Sequence, residues 1–334
     1  MPVSGALSYA YTKACGIHGK AFTGRRLSRL QNLSRLSDLD RLLFPDSPLD
    51  VPERELSARE ERRIMERSLD AIMRVFSAWQ EVPRTLVLLL QAVEVADLKA
   101  VFSARAAGDR LCPPHADLGR FGQLHWDAWP DVGAMIAQTS YEWAKDLFTG
   151  PDSLLSVETA LDQHYYRDLW QSLSSAPGRR QPSLRRYLAD EIALKNVSWA
   201  LRLRVYYNYN TEDILPFLVD ITDRGRSLAQ AALDSLDLPL DRREAWEAWV
   251  YADLVNEDSR GKFWALDPAQ VQNRAAIRLA QRARKLFRQR PFTIDALAAW
   301  VRLVQFEEDL LTAIAEGLSL GMGVNDILAR PEAR

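Results

Sequence analysis

The residues that could do chemistry are few, and each group lacks a partner its chemistry requires. Cys112, His115 and His125 form the metal-like set, a thiol and two imidazoles in and beyond a Pro-containing loop. A closed structural zinc site takes four such ligands, so three leave it incomplete. Gly16 and Gly19-Lys20 faintly resemble a phosphate loop. That loop needs Gly, four residues and then Gly-Lys-Ser/Thr, because the hydroxyl holds the magnesium ion. Here Ala21 follows Lys20, and Gly16 stands too close. Gly317-Leu318-Ser319-Leu320-Gly321 spells the Gly-x-Ser-x-Gly elbow of serine hydrolases, yet no His follows Ser319 to act as its base. His18 and His164 show no identifiable partner, and carboxylates alternate with basic residues on helix faces, as in Glu60-Glu61-Arg62-Arg63. These residues point to no catalytic centre, no cofactor and no resident metal.

The ten tryptophans could instead line a ligand pocket. Trp126 and Trp129, like Trp246 and Trp249, are three apart, a spacing that puts each pair on one face of a helix. Aromatics at that spacing serve first as core or helix-packing groups. A protein partner surface is the next use, because Trp is enriched at interface hot spots.

The elements that would position these groups read as helices. From Ser156 the apolar residues Val157, Leu161, Tyr165 and Leu169 recur every four positions and share one helix face. Ser57 with Glu60 has capping-box spacing and predicts a helix start before Arg62 and Ile64. Asp267-Pro268 predicts another, since Pro is pre-set for the first helical position. Alternating β-branched runs and Asn-Gly or Asp-Gly hairpin turns are both missing. The fold class is all-α.

One helical pattern occurs three times, at Leu89–Phe102, Leu188–Leu201 and Val301–Ile314. Each copy places Asp97, Asn196 or Asp309 directly before an aliphatic residue, with an apolar residue four further on. The copies stand roughly 100 residues apart, beyond the period of about 20–50 residues of solenoids. An amphipathic stretch and a Pro-containing break precede each copy: Glu60 to Trp79 before Pro83, Ser156 to Leu173 before Pro177 and Pro182, and Asp267 to Arg288 before Pro291. Proline ends a helix because it lacks the N–H donor and clashes with the preceding turn. The chain therefore reads as three related helix-turn-helix units, 1–118, 119–217 and 218–334.

Composition is that of a soluble globular chain, with 47% apolar and 26% charged residues in 334. Forty-three Lys and Arg against 45 Asp and Glu argue against a dedicated nucleic-acid binder. Basic clusters at Arg179-Arg180 with Arg185-Arg186 and from Arg282 to Arg290 read as solvated helix faces. Two cysteines, Cys15 and Cys112, build no disulfide framework and fit a reducing cytoplasm. No signal-type segment opens the chain, and Leu86 to Leu90 is far short of the roughly 20 residues a bilayer requires.

The ordered set of segments resembles the C/d subunit of the V/A-type rotary ATPases, the C type in bacteria and archaea and the d type in eukaryotes. Tyr9-Ala10-Tyr11-Thr12-Lys13-Ala14, followed by Leu39-Asp40-Arg41-Leu42-Leu43, is similar to the family's opening. Val93 to Gly108 resembles its Asn/Asp-Leu…Arg-Ala-x-x-Gly helix, with the Arg105-Ala106-Ala107-Gly108 end one residue shorter. Glu158 to Tyr166 and Tyr187 to Leu201 resemble the central unit, and Trp300 to Gly317 the C-terminal helix. In that last stretch Glu307, Leu311 and Ile314 match, whereas Val304, Gln305 and Leu310 replace the family's Lys, Glu and Asn.

The resemblance implies three helical bundles with pseudo-threefold symmetry forming a funnel on the cytoplasmic face of a proteolipid c-ring. It implies a non-catalytic, peripheral rotor subunit that holds the central shaft subunits of the D and F type. Torque would pass between shaft and ring, coupling ATP synthesis or hydrolysis to transport of protons or sodium ions. Membrane contact would run through the ring only. If the repeated helices line the funnel, Arg105 and Arg204 stand at one shared position, with Gly317 as the third equivalent. Both arginines are then candidates to seat an acidic or polar shaft tip; the alternative is that they are ordinary surface residues. Two other function classes stay open, a helical scaffold of another soluble complex and an enzyme using Cys112 and His115.

Overall fold

Proline and glycine punctuate this chain, and the helices run between them. The computed structural model describes residues 3–149, 153–173, 182–257 and 263–329. In chain order the helices are α1 (Val3–His18), α2 (Ser28–Gln31), α3 (Leu36–Leu43), α4 (Glu53–Phe76), α5 (Arg84–Ala107), α6 (Val132–Met135) and α7 (Lys145–Thr149). There follow α8 (Leu154–Ser172), α9 (Pro182–Tyr206), α10 (Thr211–Ile214), α11 (Gln230–Leu236), α12 (Pro268–Gln289), α13 (Ile294–Ser319) and α14 (Val324–Ala329). The all-α reading holds, with one addition. Strands β1 (Thr222–Asp223) and β2 (Arg226–Ser227) form a two-residue antiparallel hairpin. Its turn is Arg224-Gly225, both at positive φ, so a turn sought as Asn-Gly or Asp-Gly escaped notice.

Helix ends follow local chemistry. Asp267 caps α12 by accepting the N–H groups of Ala269 and Gln270, with Pro268 at the first helical position. Thr293 caps α13 and Ser153 caps α8 in the same way. The α4 start departs from expectation. The helix begins at Glu53 after Pro52, so Ser57 and Glu60 lie in its interior. The Ser57 hydroxyl donates to Glu61, and Glu60 turns into the core. Pro52, at the N-cap, sets an earlier start than the capping-box spacing does.

The chain divides into two compact units, residues 1–82 with 240–334, and residues 83–239. In the first, α13 packs against α12, α4 and α1. Leu30, Leu39, Ile64, Leu311, Ile314 and Ile327 belong to its buried cluster. In the second, α5 packs on α8 and α9 packs on α11. Leu89 and Leu90 on α5 and Val157, Leu161 and Leu169 on α8 are buried. Asp162 of α8 joins the layers by meeting Lys99 of α5 at 2.7 Å and Lys195 of α9 at 3.5 Å. Pro177, Arg179 and Arg180 lie outside the described residues.

Neither tryptophan pair shares the face of an α-helix. Trp126 opens a one-turn helix, and Trp129 precedes the cis peptide bond to Pro130. Trp246 closes another short turn and meets Trp249 edge to face at 5.3 Å, both rings buried. The second pair is core, as the spacing suggested, but it is built on loop turns.

Candidate functional site

The repeated pattern falls on α5, α9 and α13, helices of 24, 25 and 26 residues. Its polar residue has a shared task in the first two copies. Asp97 sits on the buried face of α5, and its Oδ2 accepts the Ala116 N–H at 3.1 Å. Asn196 of α9 donates Nδ2–H to the Val219 carbonyl at 3.0 Å and accepts the Val219 N–H at 2.7 Å. Each ties the core of a helix to chain that follows it. Buried backbone groups must be paired, and a short polar side chain does this where no strand runs alongside. Burial pushes the Asp97 carboxyl up to about 6.

The third copy breaks the rule. Asp309 is exposed on α13, and the clamping falls to Glu307, which accepts the Phe22 N–H at 3.2 Å and pairs with Arg67.

A second clamp escaped the sequence reading. Glu94 lies one turn before Asp97, and its Oε1 accepts the N–H groups of Gln123 and Leu124. Its Oε2 accepts the Tyr141 hydroxyl at 3.0 Å. Burial raises its carboxyl pKa, and those three donors pull it back. The signal was present as Gln91, Glu94 and Asp97, a polar row at helical spacing on an otherwise apolar helix. Gln91 also bonds this loop, through the Phe121 carbonyl at 3.1 Å.

Eight residues beyond each clamp position stand Arg105, Arg204 and Gly317, and the structure gives them three uses. Arg105 is exposed in the last turn of α5. Gly108, at φ 76°, then ends the helix in a Schellman turn, closed by bonds from Gly108 N–H to Arg105 and from Asp109 N–H to Ala104. Arg204 is half-buried. Its Nη1 donates to the carbonyls of Ser235 at 2.9 Å and Leu238 at 2.7 Å, completing the C-terminal end of α11. Gly317 leaves room for α14, since a Cβ there would meet Ile327 Cδ1 at 2.3 Å.

The Cys112 sulfur is 4.0 Å from His115 Nδ1, and the His115 ring stacks on Trp126 at 3.8 Å. His125 bonds the Ala137 carbonyl instead of joining them. Among the described residues no three His, Cys, Asp or Glu converge on a point where a metal would sit. Gly16 lies inside α1, and the Ser319 hydroxyl donates to the Glu316 carbonyl at a helix end. His18 packs edge-on to Phe287, and burial lowers its pKa. His164 stacks on Trp143 at 4.1 Å, with Nε2 3.6 Å from Asp168. These last three residues line a cleft beside Tyr141 and Gln91, with a volume of about 20 Å³. That is room for a water molecule or two and not for a nucleotide.

Comparison with known proteins is consistent across the chain. The family model described as ATP synthase (C/AC39) subunit matches residues 12–330. An uncharacterized protein of Treponema pallidum (strain Nichols) is 30% identical over 317 residues, covering 94% of this chain and 92% of the relative.

Proposed function

The chain belongs to the ATP synthase (C/AC39) subunit family, and from that premise we propose that it is a non-catalytic central-stalk subunit of a V/A-type rotary ATPase. In this role it is a socket between the rotating shaft and the proteolipid ring, passing torque while nucleotide chemistry and ion passage take place on other subunits. Its partners are the shaft subunits of the D and F type and the c-ring, on the cytoplasmic face of the membrane. The three repeat-bearing units, 1–118, 119–217 and 218–334, surround one axis in a funnel.

The observation that carries this reading is the family match from residue 12 to 330, which leaves almost none of the chain for a separate activity. The clamps on α5 and α9 support it: a torque-bearing part must hold its helices in register, and paired, buried backbone does so. Among the described residues no helix is long and apolar enough to cross a membrane, so the reading attaches the chain through its partners.

Arg105 and Arg204 help to seat a polar or acidic shaft tip. Arg105 does so with an exposed guanidinium, and Arg204 with its Nη1 already committed to α11. The test is capture with the tagged full chain from detergent-solubilised membranes. The reading expects the proteolipid ring and both shaft subunits. Recovery of soluble partners alone would make the chain a helical scaffold of another complex.

A further inference from the structure

Charge is distributed unevenly along a chain whose net charge is only −2. No Asp or Glu occurs before Asp38, nor between Asp267 and Asp295. Those two segments carry thirteen of the 43 Lys and Arg and none of the 45 acids. They are far apart in sequence, yet they pack together in the first unit. The Tyr11 hydroxyl donates to the Phe287 carbonyl at 3.2 Å, and the Tyr11 and His18 rings both meet the Phe287 ring. After burial, the charges of Arg284 and Arg288 press the His18 pKa down, which places both guanidinia close to the end of α1.

Some of these cations are neutralised. Arg278 pairs with Asp253 at 2.8 Å and Arg274 with Glu257 at 3.8 Å. Others have no carboxylate beside them among the described residues. Lys20, Arg25, Arg26 and Arg29 are exposed after α1, with Arg26 reaching the Lys20 carbonyl at 3.5 Å. Arg284, Lys285 and Arg288 are exposed on the last turns of α12. Glu307, the acid that faces His18, is already held by Phe22 N–H and Arg67. Phe292 stands just beyond the end of α12, 52% exposed, edge-on to Tyr11 at 5.0 Å.

We infer that this basic face of the first unit docks directly on anionic phospholipid headgroups at a membrane surface. The cations are spread over two separate segments, as suits a plane of negative charge, and an exposed aromatic ring beside them suits the headgroup boundary. Clusters of this size are drawn to anionic leaflets, with each Lys or Arg near the surface worth about fivefold in partitioning. The contact adds to the one through the ring and revises the expectation that the ring is the only route to the membrane. It does not depend on the rotor reading.

The experiment is co-sedimentation of the full chain with vesicles of pure phosphatidylcholine and of equimolar phosphatidylcholine and phosphatidylglycerol. Binding should require phosphatidylglycerol and weaken as salt rises toward the range where charges are screened beyond about 10 Å. Arg284→Glu with Arg288→Glu, and separately Arg25→Glu with Arg26→Glu, should each weaken binding by at least about 25-fold. The control, Arg224→Glu with Arg226→Glu at the exposed hairpin of the second unit, makes the same change in net charge and should not. Phe292→Ser should weaken vesicle binding without altering its salt dependence. Equal binding to both vesicles, or equal loss in the control, would overturn the assignment. Capture by immobilised polyglutamate with no vesicle binding would give the face to an acidic protein and would overturn it equally.

Discussion

Asn196 and Val219 close a ring of two hydrogen bonds in which one amide side chain pairs both backbone groups of a residue 23 positions away. Asn196 is 1% exposed and Val219 3%. The amide offers a donor and an acceptor side by side without carrying a charge. Asn196→Leu strands a buried N–H and a buried C=O and should cost about 2–4 kcal/mol, read as a lower denaturant midpoint. Asn196→Asp keeps the acceptor, loses the donor and buries a charge. Its deficit should shrink as pH falls and the carboxyl is neutralised. Wild-type stability in the leucine variant would show that the ring contributes nothing.

Glu60 of α4 is fully buried, facing Asp40 and Arg63, and burial followed by Asp40 pushes its carboxyl up to about 8. Asp40 is held by the Leu49 N–H and by Arg63, so the neutral partner is Glu60. Unfolded, Glu60 titrates near 4.5, so between about 4.5 and 8 the folded chain keeps a proton that the unfolded chain has released. Its contribution to stability is full below that window and is lost as pH rises through it. Glu60→Gln should flatten this slope and raise stability at pH 8 by about 2 kcal/mol. Thermal melts from pH 5 to pH 8, roughly the span of the titration, test it, and parallel slopes in both proteins would refute it.

Arg105 and Arg204 share a repeat position but not an environment, and stability separates them. Arg204→Ala takes the side-chain donor away from the Leu238 carbonyl and from the Ser235 carbonyl, which keeps backbone donors, and should cost about 1–2 kcal/mol. Arg105→Ala, at an exposed site, should stay within about 0.5 kcal/mol of wild type. Under the proposed function both substitutions weaken capture of the shaft pair. Unchanged shaft affinity in the double variant removes the arginine seat while leaving the family assignment intact.

Gly317 of α13 lies directly against Ile327 of α14. Gly317→Ala drives a methyl against Ile327, at 2.3 Å from Cδ1 and 2.7 Å from Cγ1, and should release the α14 end. Limited proteolysis should then cut near Val324 faster. Ile327→Ala added to Gly317→Ala should restore part of the protection, since the clash partner is gone. Unaltered cleavage in the single variant would mean that α14 does not rest on this glycine.

What was legible in the sequence depended on distance along the chain. The all-α class, the α12 start at Asp267-Pro268 and the amphipathic seam of α8 rest on residues within a turn or two of each other, and all appear as expected. The ordered repeats carried the family resemblance, because apolar frames persist even where polar residues drift. The α4 start was misplaced because two signals competed locally, and the proline won.

The candidate site was legible only as positions. Aligning the copies put Arg105, Arg204 and Gly317 in one column, but their uses come from partners far away in sequence: solvent, the end of α11, and Ile327. The basic face is a like case, since each acid-free segment is visible by itself while their meeting at Tyr11 and Phe287 is not. Periodicity and capping are short-range physics, so the sequence by itself determined that this chain is helical and where most helices run. Which buried polar group pairs with which backbone, and which charges are left unpaired on the surface, are long-range questions of desolvation and packing. Those were decided only when the tertiary structure brought the partners together.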